Sequence, residues 1–194
     1  MGGRGGSFNH TAESVTYRNA LNQIENRIKH DRVETAVLLD KNGNTIFTES
    51  QGYTDSVYFS PDQFNQMRGR ILTHNHPSGS TFSGADIDLL VQSGMKEIRA
   101  TSTNRTYRLQ KLPGTFLDRA DFSQDFSSAY QANKTICDKK YHKYEGSFNA
   151  GRLTQAEFAD KCIALNEELN TLNSNWLKAN ARRYGYRYGV IRRK

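Results

Sequence analysis

Tyr17, Leu21, Ile24 and Ile28 recur at spacings of three and four within residues 16–30, which predicts an amphipathic helix with a single apolar stripe. Residues 33–39, ending in the apolar run Val37-Leu38-Leu39, read as a buried strand. Asp40-Lys41-Asn42-Gly43-Asn44 follows, and its Asn-Gly pair supplies the positive φ that a tight hairpin turn requires. Residues 45–49 form the returning strand, and residues 56–59 are expected to be a third. Ser60-Pro61-Asp62 is a helix start, with Ser as cap and Pro at the first helical position. That helix runs to about Met67, and residues 70–73 return to strand and lead directly into His74. A helix is expected from Ser83 to Ser93, stopped at Gly94, and then two more strands over residues 97–101 and 106–109. Pro113-Gly114 punctuates the chain.

The character changes after that point. Phe122, Phe126, Ala129 and Tyr130 predict a helix continuing toward Tyr144, with a break between Gly146 and Gly151. Thr154 and Glu157 have the spacing of a capping box and open another helix, whose apolar positions include Phe158, Cys162, Ile163, Leu165, Leu169, Leu172 and Trp176. Tyr184, Tyr186, Tyr188 and Val190 then alternate with a period of two. The expected organisation is a Gly-rich tail over 1–14, an α/β domain over 15–115, and a C-terminal helical extension with a basic aromatic tail over 116–194.

Composition narrows the class of protein. The 194 residues are 36% hydrophobic and 24% charged, with ten Tyr and ten Phe. No apolar stretch approaches the ~20 residues of a membrane-spanning helix, and the aromatic content argues against wholesale disorder. Cys137 and Cys162 cannot build a disulfide scaffold or a four-thiolate zinc site. They are expected to pack on helices. No secretory signal pattern is present, so an intracellular, cytoplasmic setting is the expectation. The net charge of +7 is uneven: residues 1–115 carry +2 and residues 116–194 carry +5, with seven basic and no acidic residues from Trp176 onward. Such an end suits a nucleic acid or an acidic partner. Its interleaved Tyr and Arg residues (Arg182, Arg183, Arg187, Arg192) suit single strands and equally an edge strand kept soluble by charge.

The chemistry concentrates in residues 73–86. His74 and His76 flank one residue on an extended segment, so both imidazoles point to the same side. Pro77 and Gly79 turn the chain, and Asp86 falls in the first turn of the next helix. Two histidines and one carboxylate, with a position left for water, are the ligand layout of a catalytic zinc site. Ser83 and Asp86 also satisfy an ordinary capping pattern. His10, His30 and His142 have no partner at ligand spacing and are expected at the surface.

His74-x-His76-Pro77 followed by Ser83-x-x-Asp86 resembles the JAMM (JAB/MPN) metalloprotease motif. The run His74-Asn75-His76-Pro77-Ser78-Gly79 is especially similar to the RadC-like branch of that superfamily. The resemblance covers about residues 15–112. It departs from the family in a gap between His76 and Ser83 one residue shorter than usual, and in Asp40-Lys41-Asn42-Gly43 replacing the family's Gly-containing segment. It implies a JAB/MPN (cytidine-deaminase-like) mixed sheet flanked by helices. It also implies Zn2+ held by His74, His76 and Asp86, Glu34 as general acid/base, and Ser83 as support for the oxyanion. Glu49, with Asp55 nearby, is the alternative acid. The implied activity is metal-dependent hydrolysis of an amide in a protein or peptide substrate, at a peptide or isopeptide bond. The alternative is a non-enzymatic RadC-like module associated with nucleic acid or with a phage particle, encoded by a phage or prophage.

Overall fold

The computed structural model describes residues 15–114 and 120–193. The expected tail over 1–14 and His10 lie outside them. The described elements are helix α1 (Val15–Ile28), strands β1 (Ala36–Leu39) and β2 (Thr45–Glu49), helix α2 (Pro61–Gln66), strand β3 (Ile71–Asn75), helix α3 (Gly84–Ser93), strands β4 (Glu97–Thr101) and β5 (Arg105–Lys111), helices α4 (Ala120–Asn149) and α5 (Gln155–Tyr184), and strand β6 (Tyr186–Arg192). The six strands make one mixed sheet in the order β2-β1-β3-β4-β5-β6. β3 and β4 run parallel and the remaining neighbours antiparallel. A parallel pair needs a crossover, and α3 supplies it. The chain therefore leaves the C-terminal end of β3, turns, and enters α3 beside the strand it has just left.

Alternation along the strands sorts side chains onto two faces. On one, Val37, Leu39 and Ile71 pack with Tyr17, Leu21 and Ile28 of α1. On the other, Ala36, Leu38, Leu72, Ile98 and Leu109 join Ile87 and Leu90 of α3, Phe122 and Phe126 of α4, and Leu177 and Tyr184 of α5. One core thus draws on residues from both sides of position 115. The rings of Phe122, Trp176, Tyr184 and Tyr186 stack or tilt against one another with centroids 4.8–6.4 Å apart. α4 and α5 form a helical hairpin, and Tyr184, Tyr186 and Tyr188 turn inward as β6 pairs along β5 from Arg105↔Arg192 to Lys111↔Tyr186.

The sheet face covered by α1 also carries a buried charge network. Glu25 and Glu97 are fully buried. Arg99 bonds Glu25 at 2.5 Å and Glu97 at 2.8 Å, and Arg108 reaches Glu97 at 2.6 Å. Arg193 closes onto Glu25 and Thr106, so the end of β6 is tied to α1. Removing one member would leave a buried charge unpaired, at a typical cost of about 3–5 kcal/mol.

Two expectations need correction. Residues 56–59 are extended but pair with no strand, because the Gln51 side chain takes both backbone groups of Tyr58: Nε2 donates to the carbonyl at 2.7 Å and Oε1 accepts the N–H at 2.8 Å. β1 begins at Ala36 rather than Val33, since Glu34 N–H bonds Tyr53 O and Thr35 N–H bonds a side chain. The expected break between Gly146 and Gly151 falls at its far end: α4 runs to Asn149, and the chain reverses at Gly151, whose φ is +68°.

Candidate metal centre

β3 delivers the histidines. His74 is its fourth residue, and His76 follows its end, with a backbone N–H bonded to Thr101 O at 2.8 Å. Asn75 points to the other side of the strand. Its Nδ2 donates to Asp31 O and Val33 O at 3.1 and 3.0 Å, and its Oδ1 accepts from Thr35 N–H at 2.7 Å. The segment carrying Glu34 is thereby fastened against β3. Ser50 Oγ donates to Glu34 O at 2.9 Å and secures it from the other flank.

Asp86 arrives on the first turn of α3 through a reciprocal capping box with Ser83. Its two oxygens divide the work. Oδ2 accepts the Ser83 backbone N–H at 2.7 Å and the Ser83 hydroxyl at 2.8 Å, while Oδ1 lies 3.0 Å from His74 Nε2. The shortened gap between His76 and Ser83 does not displace the acid. Gly79, at φ +74°, makes the tight turn, and its N–H bonds His76 O at 2.9 Å.

Glu34, His74, His76 and Asp86 are all buried, and one candidate ligand atom from each lies within 4.8 Å of the others. His74 Nε2 and His76 Nε2 are 2.9 Å apart, and His76 Nε2 is 3.6 Å from Asp86 Oδ2. Glu34 Oε1 stands 3.7 and 3.9 Å from the two Nε2 atoms. Atoms coordinating a tetrahedral zinc at about 2.0–2.1 Å lie roughly 3.3 Å apart, so the histidines and Asp86 fit such an ion. Glu34 is placed one step further out. Glu49 is outside the cluster, bound by Gln63 Nε2 at 2.7 Å, whereas Asp55 lines the groove.

Hydrogen bonds, burial and neighbouring charges set the protonation of the cluster. His76 Nδ1 is 2.9 Å from Ser80 O; a carbonyl can only accept, so Nδ1 carries the hydrogen and the Nε2 lone pair faces the cluster. Burial, then the neighbouring His74 charge, lowers the His76 pKa. Burial also opposes a charged His74, but Asp86 and then Glu34 outweigh it and raise that pKa. Burial would likewise raise Asp86, yet His74, then His76 and the Ser83 N–H, hold it well below the carboxylate range. Glu34 is raised above its ordinary 4.5, first by burial and then by Asp86 and Asp55, against the pull of His74. His74 Nδ1 is buried and meets no hydrogen-bond partner among the described residues.

The cluster forms the floor of a groove of about 740 Å3. Val57 and Phe59 from the extended segment, Leu89 of α3 and Tyr130 of α4 give it apolar walls. α5 reaches the loop behind His76: Asn170 Oδ1 accepts Thr81 N–H at 2.9 Å, its Nδ2 donates to Gly79 O at 3.3 Å, and Asn166 Nδ2 donates to Ser78 O at 3.1 Å. Tyr188 adds a contact to Thr81 Oγ1 at 3.3 Å and is itself held by Ser174 at 2.8 Å. Sequence reasoning missed Asn75, Asn166 and Asn170. Strand alternation could have flagged Asn75; nothing local flags the other two.

Of the other residues singled out in the sequence, His30 and His142 are exposed, Cys137 is buried and Cys162 half-buried on the helical hairpin. No helix among the described residues is long and apolar enough to cross a membrane. Comparison of the chain with family models, with curated proteins and with solved structures finds no match.

Proposed function

We propose that the protein is a metal-dependent amide hydrolase of JAB/MPN-like, RadC-like fold, acting on a peptide or isopeptide bond. The observation that carries this reading is the convergence of two imidazoles and two carboxylates at the floor of an open groove. His74 Nε2, His76 Nε2 and Asp86 Oδ1 would hold a divalent cation, with Zn2+ favoured by the N/N/O donor set. Such an ion supplies Lewis-acid polarisation and water that ionises near neutral pH.

The protein's own residues supply the rest. Glu34, its pKa raised by burial, accepts the proton of the attacking water and returns it to the nitrogen as the C–N bond breaks, giving a carboxylic acid and an amine. Ser83 lines the groove, but its hydroxyl donates to Asp86 Oδ2. Orienting Asp86 is therefore its supported role, and stabilising an oxyanion requires the O–H to turn away from that carboxylate. The apolar walls would seat a peptide segment and exclude water.

The test is incubation of the zinc-loaded protein with a mixed peptide library, with products read by mass spectrometry. Wild type is expected to cleave. Glu34→Gln is expected to retain the metal and lose at least about a hundredfold in rate. Equal cleavage by both would refute the assignment of Glu34, and no cleavage by a metal-loaded wild type would refute peptide hydrolysis.

A further inference from the structure

The metal groove has two unlike ends, and strand register fixes which residues lie at each. Ala36 pairs with His74, and Leu38 pairs both with Leu72 of β3 and with Phe47 of β2. Leu72 therefore lies about 7 Å from His74 on the side away from His76. Because β1 and β3 are antiparallel, Glu34 lies on the His76 side of the Ala36–His74 pair. The Tyr53 carbonyl accepts the Glu34 N–H at 2.7 Å, and the Phe59 ring meets Phe47 with centroids 6.0 Å apart. The stretch from Tyr53 to Phe59 thus runs from Glu34 to the row Phe47–Leu38–Leu72. It leaves Thr54 and Asp55 at the Glu34 end of the groove, and Val57 and Phe59 at the other.

α3 adds to that second end. It connects the parallel strands β3 and β4 and so runs back against β3. The step of about 4.5 Å along the helix from Asp86 to Leu89 therefore points the same way as the step from His74 to Leu72. Ala36 and Leu72 are each 1% exposed and form a floor, and Val57, Phe59 and Leu89 stand half-buried around it. None of these five side chains offers a hydrogen bond. The Glu34 end is lined instead by Arg32 and Asp55, both charged and exposed.

On the hydrolytic reading proposed above, on which this inference rests, Glu34 returns its proton to the leaving nitrogen, so that nitrogen faces Glu34. The carbonyl carbon is trigonal, and its bond to the acyl-side residue points away from its bond to nitrogen. We propose that the apolar end of the groove is the pocket for the residue that contributes the scissile carbonyl, and that the substrate carries a large apolar side chain there, of leucine or phenylalanine size. Such a side chain takes the exposed faces of Val57, Phe59 and Leu89 out of water, whereas a glycine leaves them wet. The leaving side of the substrate passes Arg32 and Asp55.

The experiment is calorimetric titration of the zinc-loaded full chain with N-acetyl-leucine hydroxamate and N-acetyl-glycine hydroxamate. The chelating hydroxamate stands where the scissile amide would be, so the side chain takes the acyl-side position. The leucine compound is expected to bind at least about tenfold more tightly than the glycine compound, with the more negative heat-capacity change. Val57→Asp and Leu89→Asn, each checked for folding by circular dichroism, should erase that advantage. Equal affinities in the wild type, or an advantage that survives in both folded variants, would overturn the pocket and leave the metal centre standing. Binding of neither compound by a chain that holds zinc would overturn the hydrolytic reading and the pocket with it.

Discussion

The side-chain carbonyl of Asn75 accepts the backbone N–H of Thr35 at 2.7 Å, so the residue between the two histidines fixes the segment that carries Glu34. Asn75→Ala removes that acceptor and the two amide bonds to Asp31 and Val33. Leaving buried backbone groups unpaired costs about 1–3 kcal/mol each, and a stability loss of roughly 2–3 kcal/mol is expected. Hydrolysis should fall further than metal affinity, because Glu34 is loosened while the ligands stay on β3 and α3. Thermal melting, zinc titration and turnover on the same variant check this.

Ser83→Ala separates capping from catalysis. The cap is expected to contribute about 1 kcal/mol of stability, and Asp86 Oδ2 keeps the backbone N–H bond after the hydroxyl is lost. At saturating zinc the account predicts less than a tenfold fall in turnover. A fall near the ~3 kcal/mol typical of an oxyanion donor would assign the hydroxyl to the reaction itself.

The grip of α5 on the loop behind His76 makes a distant residue matter for the metal. Asn170→Ala frees Gly79 and Thr81, and with them Ser80 O, which sets the His76 tautomer. Loss of such an outer partner typically costs ten- to a hundredfold in metal affinity, and about tenfold is expected here. Asn166→Ala, which removes one exposed bond to Ser78, should cost less. Competition with a chromogenic chelator measures both.

Metal affinity should fall as pH falls, because the cation displaces a proton from His74, whose pKa is raised above 6.5. The cation-free protein should show the opposite sense. A raised folded-state pKa gives stability that is complete below the unfolded value and is lost as pH rises through the folded one. Between 6.5 and the raised His74 value, melting in chelator should therefore decline with rising pH. Below 6.5 the His74 contribution is complete, and the lowered His76 pKa makes stability fall as pH falls, so the melting temperature should peak near 6.5. His74→Gln should abolish the decline.

The legible features were those with local causes. Ser60 and Ser83 announced their helices because a cap is a short-range interaction, and His74 and His76 announced a shared direction because strand alternation is geometric. Glu34 required resemblance, since its approach depends on side-chain bonds from Asn75 and Ser50, 41 and 16 residues away in sequence. The failed strand at 56–59 has the composition of a strand, but the Gln51 amide satisfies the backbone that a neighbour would have paired. The buried Glu25–Arg99–Glu97–Arg108 network was invisible, because a charged residue in a sequence reads as solvent-facing until the fold brings its partner. β6 was readable as alternation, but not its pairing along β5.

The most direct measurement is the metal content of the purified protein beside that of the His74→Ala/His76→Ala double variant, after dialysis against limiting zinc. The account predicts one tightly held zinc per chain in the wild type and none in a double variant that remains folded by circular dichroism. A wild-type protein that stays folded and retains no zinc, or a double variant that retains as much, would contradict it.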